Sequence, residues 1–297
     1  MLESLPTMKT VFVLAALMIL VAVVKGAPQL EIQSAVEVKF GTTNNRIYQL
    51  EAASPESIDD WRPVGPAKWG RGMTVTNVVP MAFGAQLILR SKEYDLTNGL
   101  SYYFPMDGFW VIGEPRSASA SNPTASRFGT PRHAALSVDY DATASAKIYG
   151  FAEGTNDFSI SIWASSTDAQ GIFGRVFSAP APIFPNQFEM AMIGTNNGTI
   201  EVYFGGGLQP ILVTPPMSWT SGHWYCFQLV RSANLFRAYR DGELVGEVFS
   251  EVPNTQNTFT QYQLTLGPDN GAVDEVRLYN RALSAEELGV LFRLEEH

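Results

Sequence analysis

The sequence contains a single cysteine, Cys226, so the chain cannot form an internal disulfide. It also lacks an excess of basic residues, because 20 Lys and Arg stand against 29 Asp and Glu, a formal net charge of −9 at pH 7. Proteins that bind nucleic acids need a basic surface that neutralises phosphates, so this balance argues against a nucleic-acid partner. What the sequence does contain is an apolar content of 45%, which is enough to bury a core.

The longest apolar run lies near the start, in MKTVFVLAALMILVAVVKGA (8–27). A lysine, an apolar stretch of about 14 residues and then small residues are typical of a secretory signal peptide, and a membrane span needs about 20. We expect cleavage after Gly26, so that residues 1–26 are removed and no membrane span remains; an uncleaved N-terminal anchor is the alternative. Export of a chain without disulfides favours a secreted protein or one of the bacterial cell envelope or periplasm.

The remainder of the sequence is dominated by strand and turn patterns. AVEVKF (35–40) and DFSISIW (157–163) alternate apolar and polar residues, which predicts strands with one buried face. LFRAYRDGELVGEV (235–248) predicts a hairpin about Asp241-Gly242, since these residue types tolerate the positive φ of a tight turn. One short helix is predicted at the C-terminus, where Ser284 and Glu287 have the spacing of a capping box.

Residues 34–93 resemble a small β-sandwich module of exported bacterial proteins. The resemblance rests on YQLEAAS, DDWRPVGPAKWGRG and ILRSKE, in that order. The module has no established chemistry, so Tyr48 and Trp61 are interpreted as its core aromatics.

Residues 100–292 resemble the LamG-like jelly roll of the concanavalin A-like lectin/glucanase superfamily. GLSYYFPMDG, SRFGTPRHAALSVD, DFSISIW, GTIEVYF, HWYCFQLVRSANLFRAYRDGELVGE and GAVDEVRLYNRALSAEEL occur in the order of the family. One departure is FWVIGEPRSAS, where the family has an Asp-Ser-Ser-Gly-Asn-Gly turn, so a loop there is expected to be rebuilt. Together the two resemblances imply an all-β protein: a small β-sandwich (34–93), then a two-sheet jelly-roll sandwich (100–292) with a short C-terminal helix.

Asp274 is the residue that regular alternation does not explain. At period two, Ala272, Val276 and Leu278 share an apolar side of the last strand, and Asp274 falls on that side. A buried carboxylate needs hydrogen bonds or a cation. Because related jelly rolls hold a structural Ca²⁺ with an Asp on this strand, the resemblance implies Asp274 as a calcium ligand and Asp107 as a weaker second. The alternative is a hydrogen-bonded Asp274, paired with Arg281.

No catalytic residues are predicted. Retaining glycosidases place two carboxyl groups about 5 Å apart, and Asp139 and Asp141 have a suitable spacing, but Asp139 coincides with an ordinary turn of the family. The three histidines form no zinc pair, and His223 is interpreted as structural because it precedes Trp224 at the start of a strand. Cys226 lies in an apolar strand and is predicted to be buried. The sequence therefore predicts a protein that is not an enzyme.

Without predicted catalytic residues, the sequence favours a binding function. Sugars are held by aromatic faces and convergent polar side chains, and the candidates of these types are Tyr203, Trp163, Trp110, Trp219 and Asn196. Trp163 shares the parity of Ser159 and Ser161, so it is expected to face the concave groove rather than the inter-sheet core, although packing is the alternative for a strand Trp.

We therefore expect an exported, non-catalytic binding or adhesion protein that recognises an extracellular or cell-wall glycan. A structural envelope protein that contacts other proteins is the alternative, and a divergent glycan hydrolase or lyase is the third possibility.

Overall fold

The computed structural model describes residues 34–81, 86–104, 123–125, 134–138, 144–148, 151, 156–166, 177–179, 188–191, 198–204, 209–252, 262–266 and 271–294. Trp110, Asn196 and Asp107 lie outside these ranges. The chain divides into two compact units, one formed by Met1–Thr97 with Arg293–His297 and the other by Asn98–Phe292. Within the described ranges, no helix is both long enough and apolar enough to cross a membrane.

The first unit is a sandwich of short antiparallel sheets. Its strands are β1 (Ser34–Gly41), β2 (Ile47–Ser54), β3 (Ser57–Pro63), β4 (Lys68–Trp69), β5 (Thr74–Met81) and β6 (Ile88–Tyr94). β1 pairs with β5, while β2 pairs with β6 and with both β3 and β4. Because β2 is central in its sheet, all of its residues except the last are buried.

The core of this unit lies between its two sheets. Val38 and Phe40 of β1 and Val79 of β5 pack against Tyr48 and Leu50 of β2. The Tyr48 ring is buried, as the sequence predicts. Its hydroxyl has hydrogen-bond partners, which a buried tyrosine requires.

The last residues of the chain belong to the first unit. The N–H of Ala67 donates to the carbonyl of Arg293 at 2.9 Å, and Ala67 forms a parallel bridge with Leu294. Arg293 Nε donates to the buried Gln49 Oε1 at 3.0 Å. Leu294 is buried as well. The C-terminus thus supplies both polar and apolar contacts to this sandwich.

The second unit is a larger sandwich made of two antiparallel sheets. Its elements are β7 (Leu100–Phe104), β8 (Pro123–Ala125), β9 (Ala134–Val138), β10 (Ala144–Ile148), β11 (Phe158–Ser166), β12 (Phe177–Ala179), β13 (Phe188–Ala191), β14 (Glu201–Tyr203), β15 (Leu212–Val213), β16 (Trp224–Ser232), β17 (Leu235–Arg240), β18 (Glu243–Phe249), β19 (Tyr262–Leu266), β20 (Gly271–Tyr279) and α1 (Ala285–Arg293). The all-β fold class predicted from the sequence is confirmed.

Within the residues that the structure describes, the large sheet has eight strands in the order β18-β17-β16-β11-β20-β9-β8, with β7 also paired to β20. The other sheet has six described strands, in the order β10-β19-β12-β13-β14-β15. One apolar cluster joins them, with Phe158, Ile160 and Val276 from the large sheet and Val202 and Leu212 from the other. The core therefore lies between two sheets that pack face to face.

The predicted Asp241-Gly242 turn and the predicted capping box are both confirmed. The hairpin of β17 and β18 turns at Asp241 and Gly242, whose φ values are +57° and +80°. At the start of α1, the N–H of Glu287 donates to Ser284 Oγ at 3.2 Å, and the N–H of Ser284 donates to Glu287 Oε2 at 2.8 Å. These are the two reciprocal hydrogen bonds of a capping box.

Helix α1 covers the face of the large sheet that points away from the core. Phe292 stacks on Trp163 of β11, with ring centroids 5.6 Å apart. Gln228 of β16 donates through Nε2 to the carbonyl of Leu288 at 3.0 Å. Leu288 and Leu291 are buried. Side chains of β11 and β16 on this face are therefore enclosed at the position of the helix.

Candidate ligand-binding site

Strand β20 carries a bulge that corrects the predicted orientation of Asp274. Ser161 lies opposite Arg277 and Trp163 lies opposite Asp274, so β20 holds one more residue than β11 between these pairs. Glu275, at the bulge, has a left-handed φ of +51°. Regular alternation is therefore broken, and the prediction that Asp274 and Ala272 share the side of Val276 is wrong. Asp274 shares its face with Trp163, because directly opposite residues point the same way.

The bulge holds a buried ion pair. Arg277 Nη2 donates to Glu275 Oε2 in a close ion pair, and both residues are less than a tenth exposed. Tyr103 directs its hydroxyl at the same carboxylate, with oxygen distances of 3.0 and 3.1 Å, and the Arg277 guanidinium lies 4.3 Å from the centre of its ring. Burial, the largest single effect, lowers the pKa of Arg277, but the charges of Glu275, Tyr103 and Tyr279 and the hydrogen bond to Glu275 together raise it above its ordinary value, so Arg277 is held in its charged form. The buried charges of Glu275 and Arg277 thus compensate each other.

Asp274 is buried, with one oxygen, Oδ1, accepting the N–H of Glu275 at 2.9 Å. The alternative partner, Arg281, forms an ion pair with Glu287. Among the residues that the structure describes, no three His, Cys, Asp or Glu residues come together as a metal site. A calcium ion needs six to eight oxygens. Asp107, the weaker second ligand, lies outside the described residues, so calcium at Asp274 stays a prediction.

The aromatic candidates that the structure describes, Trp163, Tyr203 and Trp219, do not share one surface. Trp163 points away from the core, but Phe292 covers it and only 7% of the residue is exposed. Tyr203 alternates with the core residue Val202, so it lies on the outer face of the six-stranded sheet, half-buried, with its hydroxyl donating to Glu201 at 2.8 Å. Cys226 is buried, which confirms its predicted position.

Trp219 lies in a loop (214–223) that a dense set of hydrogen bonds fixes in place. The loop begins at Thr214, whose N–H donates to the carbonyl of Ile200 and whose Oγ1 accepts the N–H of the same residue. It ends with the N–H of Gly222, which donates to the carbonyl of Ser166 at 2.7 Å. Loops carried by a rigid scaffold are common sites of ligand recognition. The 214–223 loop is such an element, because one end is tied to the residue that precedes β14 and the other to the last residue of β11.

The indole of Trp219 is itself held on several sides. Its Nε1 donates to the carbonyl of Gly198 at 2.8 Å. Its ring meets Tyr225 edge to face, with centroids 4.8 Å apart, and lies 5.5 Å from the ring of Phe227. Trp219 remains half-buried rather than enclosed. The result is a fixed aromatic side chain at the margin of the core with part of its surface open to solvent.

Arg240 and His223 flank this indole. The Arg240 guanidinium lies 5.0 Å from the centre of the Trp219 ring, and Nη1 donates to the carbonyl of Ser218 at 3.0 Å. The exposed His223 ring lies 4.6 Å from that of Tyr225. We define Trp219, His223 and Arg240, with the exposed Ser218 to Ser221 segment around them, as the loop site.

Asp241 supports the loop site through the hairpin turn. Its Oδ1 accepts the N–H of Cys226 at 2.9 Å, and its Oδ2 lies 3.9 Å from Arg240 Nε. Burial raises the pKa of the Asp241 carboxyl above its ordinary value, while the Cys226 N–H and the charges of Arg240 and His223 oppose the rise. Its hydrogen bond makes Asp241 a structural group that ties the turn after β17 to Cys226 of β16.

The loop site brings together an aromatic ring, a guanidinium, an imidazole and hydroxyl groups, which suit the recognition of a polar ligand with an apolar face. The sequence indicates Trp219 as a candidate but does not by itself connect it with Arg240 or His223. The available signal was that Arg240 directly precedes the Asp-Gly turn, so it ends a strand, while His223 directly precedes the neighbouring strand. Because the two strands are antiparallel neighbours, the start of one and the end of the other lie at the same end of the sheet.

The two-sheet sandwich and its match to a known family define the class of this protein as a lectin-type jelly roll. The chain belongs to the concanavalin A-like lectin/glucanases superfamily, whose laminin G-type family matches residues 137–289. The predicted LamG-like fold is thus confirmed. No curated protein shows a significant match to the chain.

Several solved structures resemble part of this chain. The binding domain of Paraclostridial Mosquitocidal Protein 1 is 12% identical, with a TM-score of 0.49 over 65% of this chain and 52% of that one. The receptor binding domain of botulinum neurotoxin D is 10% identical, with a TM-score of 0.45 over 59% and 47%.

Domain 4 of AbnA, an arabinanase of Geobacillus stearothermophilus solved with arabinotriose, is 14% identical, with a TM-score of 0.42 over 65% of this chain and 97% of that one. This chain spans about half the length of the first two structures. At these identities and TM-scores, no ligand is transferred to this chain from any of them.

Proposed function

We propose that this protein is an exported, non-catalytic binding protein whose second unit recognises carbohydrate through the loop site. One observation carries the proposal: a half-buried Trp219, fixed by a hydrogen bond to Gly198 and by packing on Tyr225, lies beside polar side chains at an edge of the sandwich. A rigid indole loses little conformational entropy when a sugar ring packs on it. The surrounding hydroxyl, imidazole and guanidinium groups supply hydrogen bonds for sugar hydroxyls.

Export rests on the N-terminal apolar segment. Expression in a secreting host, followed by mass measurement, tests it directly. A mature chain that begins at Ala27 supports export, whereas a chain that is retained in the cell with Met1 intact contradicts it.

The test of carbohydrate binding uses the full chain on a glycan array, followed by calorimetry on the saccharides that bind. His223→Ala changes an exposed side chain and is expected to weaken binding without lowering the melting temperature. Trp219→Ala is expected to abolish binding, and Trp219→Phe, which keeps an aromatic ring, is expected to retain part of it.

Tyr203→Ala is the matched control, since Tyr203 is an equally half-buried aromatic on the other sheet. It is expected to leave affinity unchanged. The proposal fails if no saccharide binds, or if Tyr203→Ala abolishes binding while the Trp219 and His223 variants bind normally.

A further inference from the structure

Arg240 has hydrogen-bond donors that no described residue uses. The structure describes five arginines of the second unit, and each of the other four pairs with a carboxylate or donates to two carbonyls. Those four are Arg231, which donates to the carbonyls of Ala233 and Val252; Arg237, paired with Glu247; Arg277, paired with Glu275; and Arg281, paired with Glu287.

Arg240 has one hydrogen bond in the described part of the chain, from Nη1 to the carbonyl of Ser218. The nearest carboxylate oxygen among the described residues, Asp241 Oδ2, is 3.9 Å from Nε, which is longer than a hydrogen bond. A guanidinium has five N–H donors in a planar fork. Arg240 is also held in position, because it lies over the rings of both Trp219 and Tyr225. The Arg240 guanidinium is therefore held in one orientation within the loop site, and some of its N–H donors have no described partner.

From this geometry we infer that the loop site selects an acidic saccharide, with Arg240 binding the carboxylate of a uronic or similar sugar acid while the sugar ring packs at Trp219. This inference rests on the proposed carbohydrate binding and names its ligand class. A planar guanidinium matches a carboxylate with two parallel hydrogen bonds, and such charge-assisted pairs are about twice as strong as neutral ones.

The neighbouring charges restrict the kind of anion. Asp241 lies on the turn that follows Arg240, and Glu243 begins β18 directly opposite Arg240. The two carboxylates are close enough to act on each other electrostatically. The whole chain carries a net charge of −9. A densely charged polyanion would be repelled by these groups, whereas a single carboxylate directed at Arg240 is compensated by one positive charge. The site thus favours isolated sugar carboxylates over heavily sulfated chains.

The test compares matched saccharides on the full-length protein by calorimetry. The probes are galacturonic, mannuronic and glucuronic acid, which carry one carboxylate each, as the free acid and as the methyl ester, which keeps the ring and removes the charge. At least one free acid is expected to bind about tenfold more tightly than its ester, the effect of one charge-assisted hydrogen bond.

Arg240→Gln is expected to lower the affinity for that acid to the affinity for its ester. Arg240→Lys, which keeps a positive charge but not the planar guanidinium, is expected to keep part of the preference for the acid. Arg237→Gln is the matched control, because Arg237 lies on the same strand and pairs with Glu247. It is expected to keep the full preference. Melting temperatures establish that each variant is folded.

The inference is overturned if every ester binds as tightly as its acid, or if Arg237→Gln lowers the affinity as much as Arg240→Gln. Binding of neutral saccharides that depends on Trp219 and His223, without a preference for acids, would overturn this inference and leave carbohydrate binding intact. Absence of binding to every saccharide, acidic or neutral, would overturn both.

Discussion

Glu275→Gln is predicted to destabilise the second unit strongly. The substitution keeps the shape of the side chain and removes the charge that faces Arg277, a residue with only 3% of its surface exposed. Breaking one partner of a buried ion pair leaves an uncompensated charge and costs about 3–5 kcal/mol of the free energy of unfolding. Replacing both partners, as in Glu275→Gln with Arg277→Met, removes that charge and is expected to recover a large part of the loss.

The assay is hydrogen exchange during a urea titration, followed on a peptide that covers β20, because this peptide reports the unfolding of the second unit alone. Glu247→Gln is the control, since it breaks the exposed pair with Arg237 and is expected to cost less than about 1 kcal/mol. If Glu275→Gln costs no more than Glu247→Gln, or if the double variant is less stable than the single one, the buried pair does not have the role argued above.

Four further outcomes are expected. Burial raises the pKa of Tyr279 to about 12, so stability present below pH 10 should be lost as the pH rises to 12, by about 2–3 kcal/mol in an alkaline unfolding series, and Tyr279→Phe should remove that loss. Ser284→Ala should lower the free energy of unfolding by about 1 kcal/mol through loss of the capping box, and an unchanged value would contradict the observed cap. Gly198 and Gly222 both have positive φ, so an alanine is strained at either position. Gly198→Ala should lower the melting temperature far more than Gly222→Ala, because a Cβ at Gly198 would lie 2.1 Å from a backbone carbonyl oxygen, whereas a Cβ at Gly222 would meet no atom within 4 Å. Chelation should lower the melting temperature if the predicted calcium ion is bound, and an unchanged melt with no detectable metal would end that prediction.

The features that local sequence predicts well are those whose interactions span only a few residues. The Asp241-Gly242 turn has the positive φ values that its residue types favour, and Ser284 and Glu287 form the reciprocal bonds that their spacing predicts. The bulge at Glu275 is different. Its left-handed φ falls on a residue that rarely adopts it, and it is held by Tyr103, which lies far away in the sequence. A strict alternation argument has no means of detecting such a contact.

The same distinction applies to the candidate site. Parity placed Trp163 on the face away from the core, but the enclosure of its ring by Phe292 depends on where α1 packs, which is a long-range contact. Trp219 could be proposed from its residue type alone. Its association with Arg240 and His223 requires the register of β16 and β17, which brings the two strand ends together.

The most direct test of the central claim is hydrogen exchange of the full chain with and without a saccharide that it binds. Carbohydrate recognition at the loop site predicts that bound sugar slows exchange in the 214–223 loop and at the β17–β18 turn, and leaves β14, with Tyr203, unchanged. Slower exchange confined to β14, or to the first unit, would contradict it.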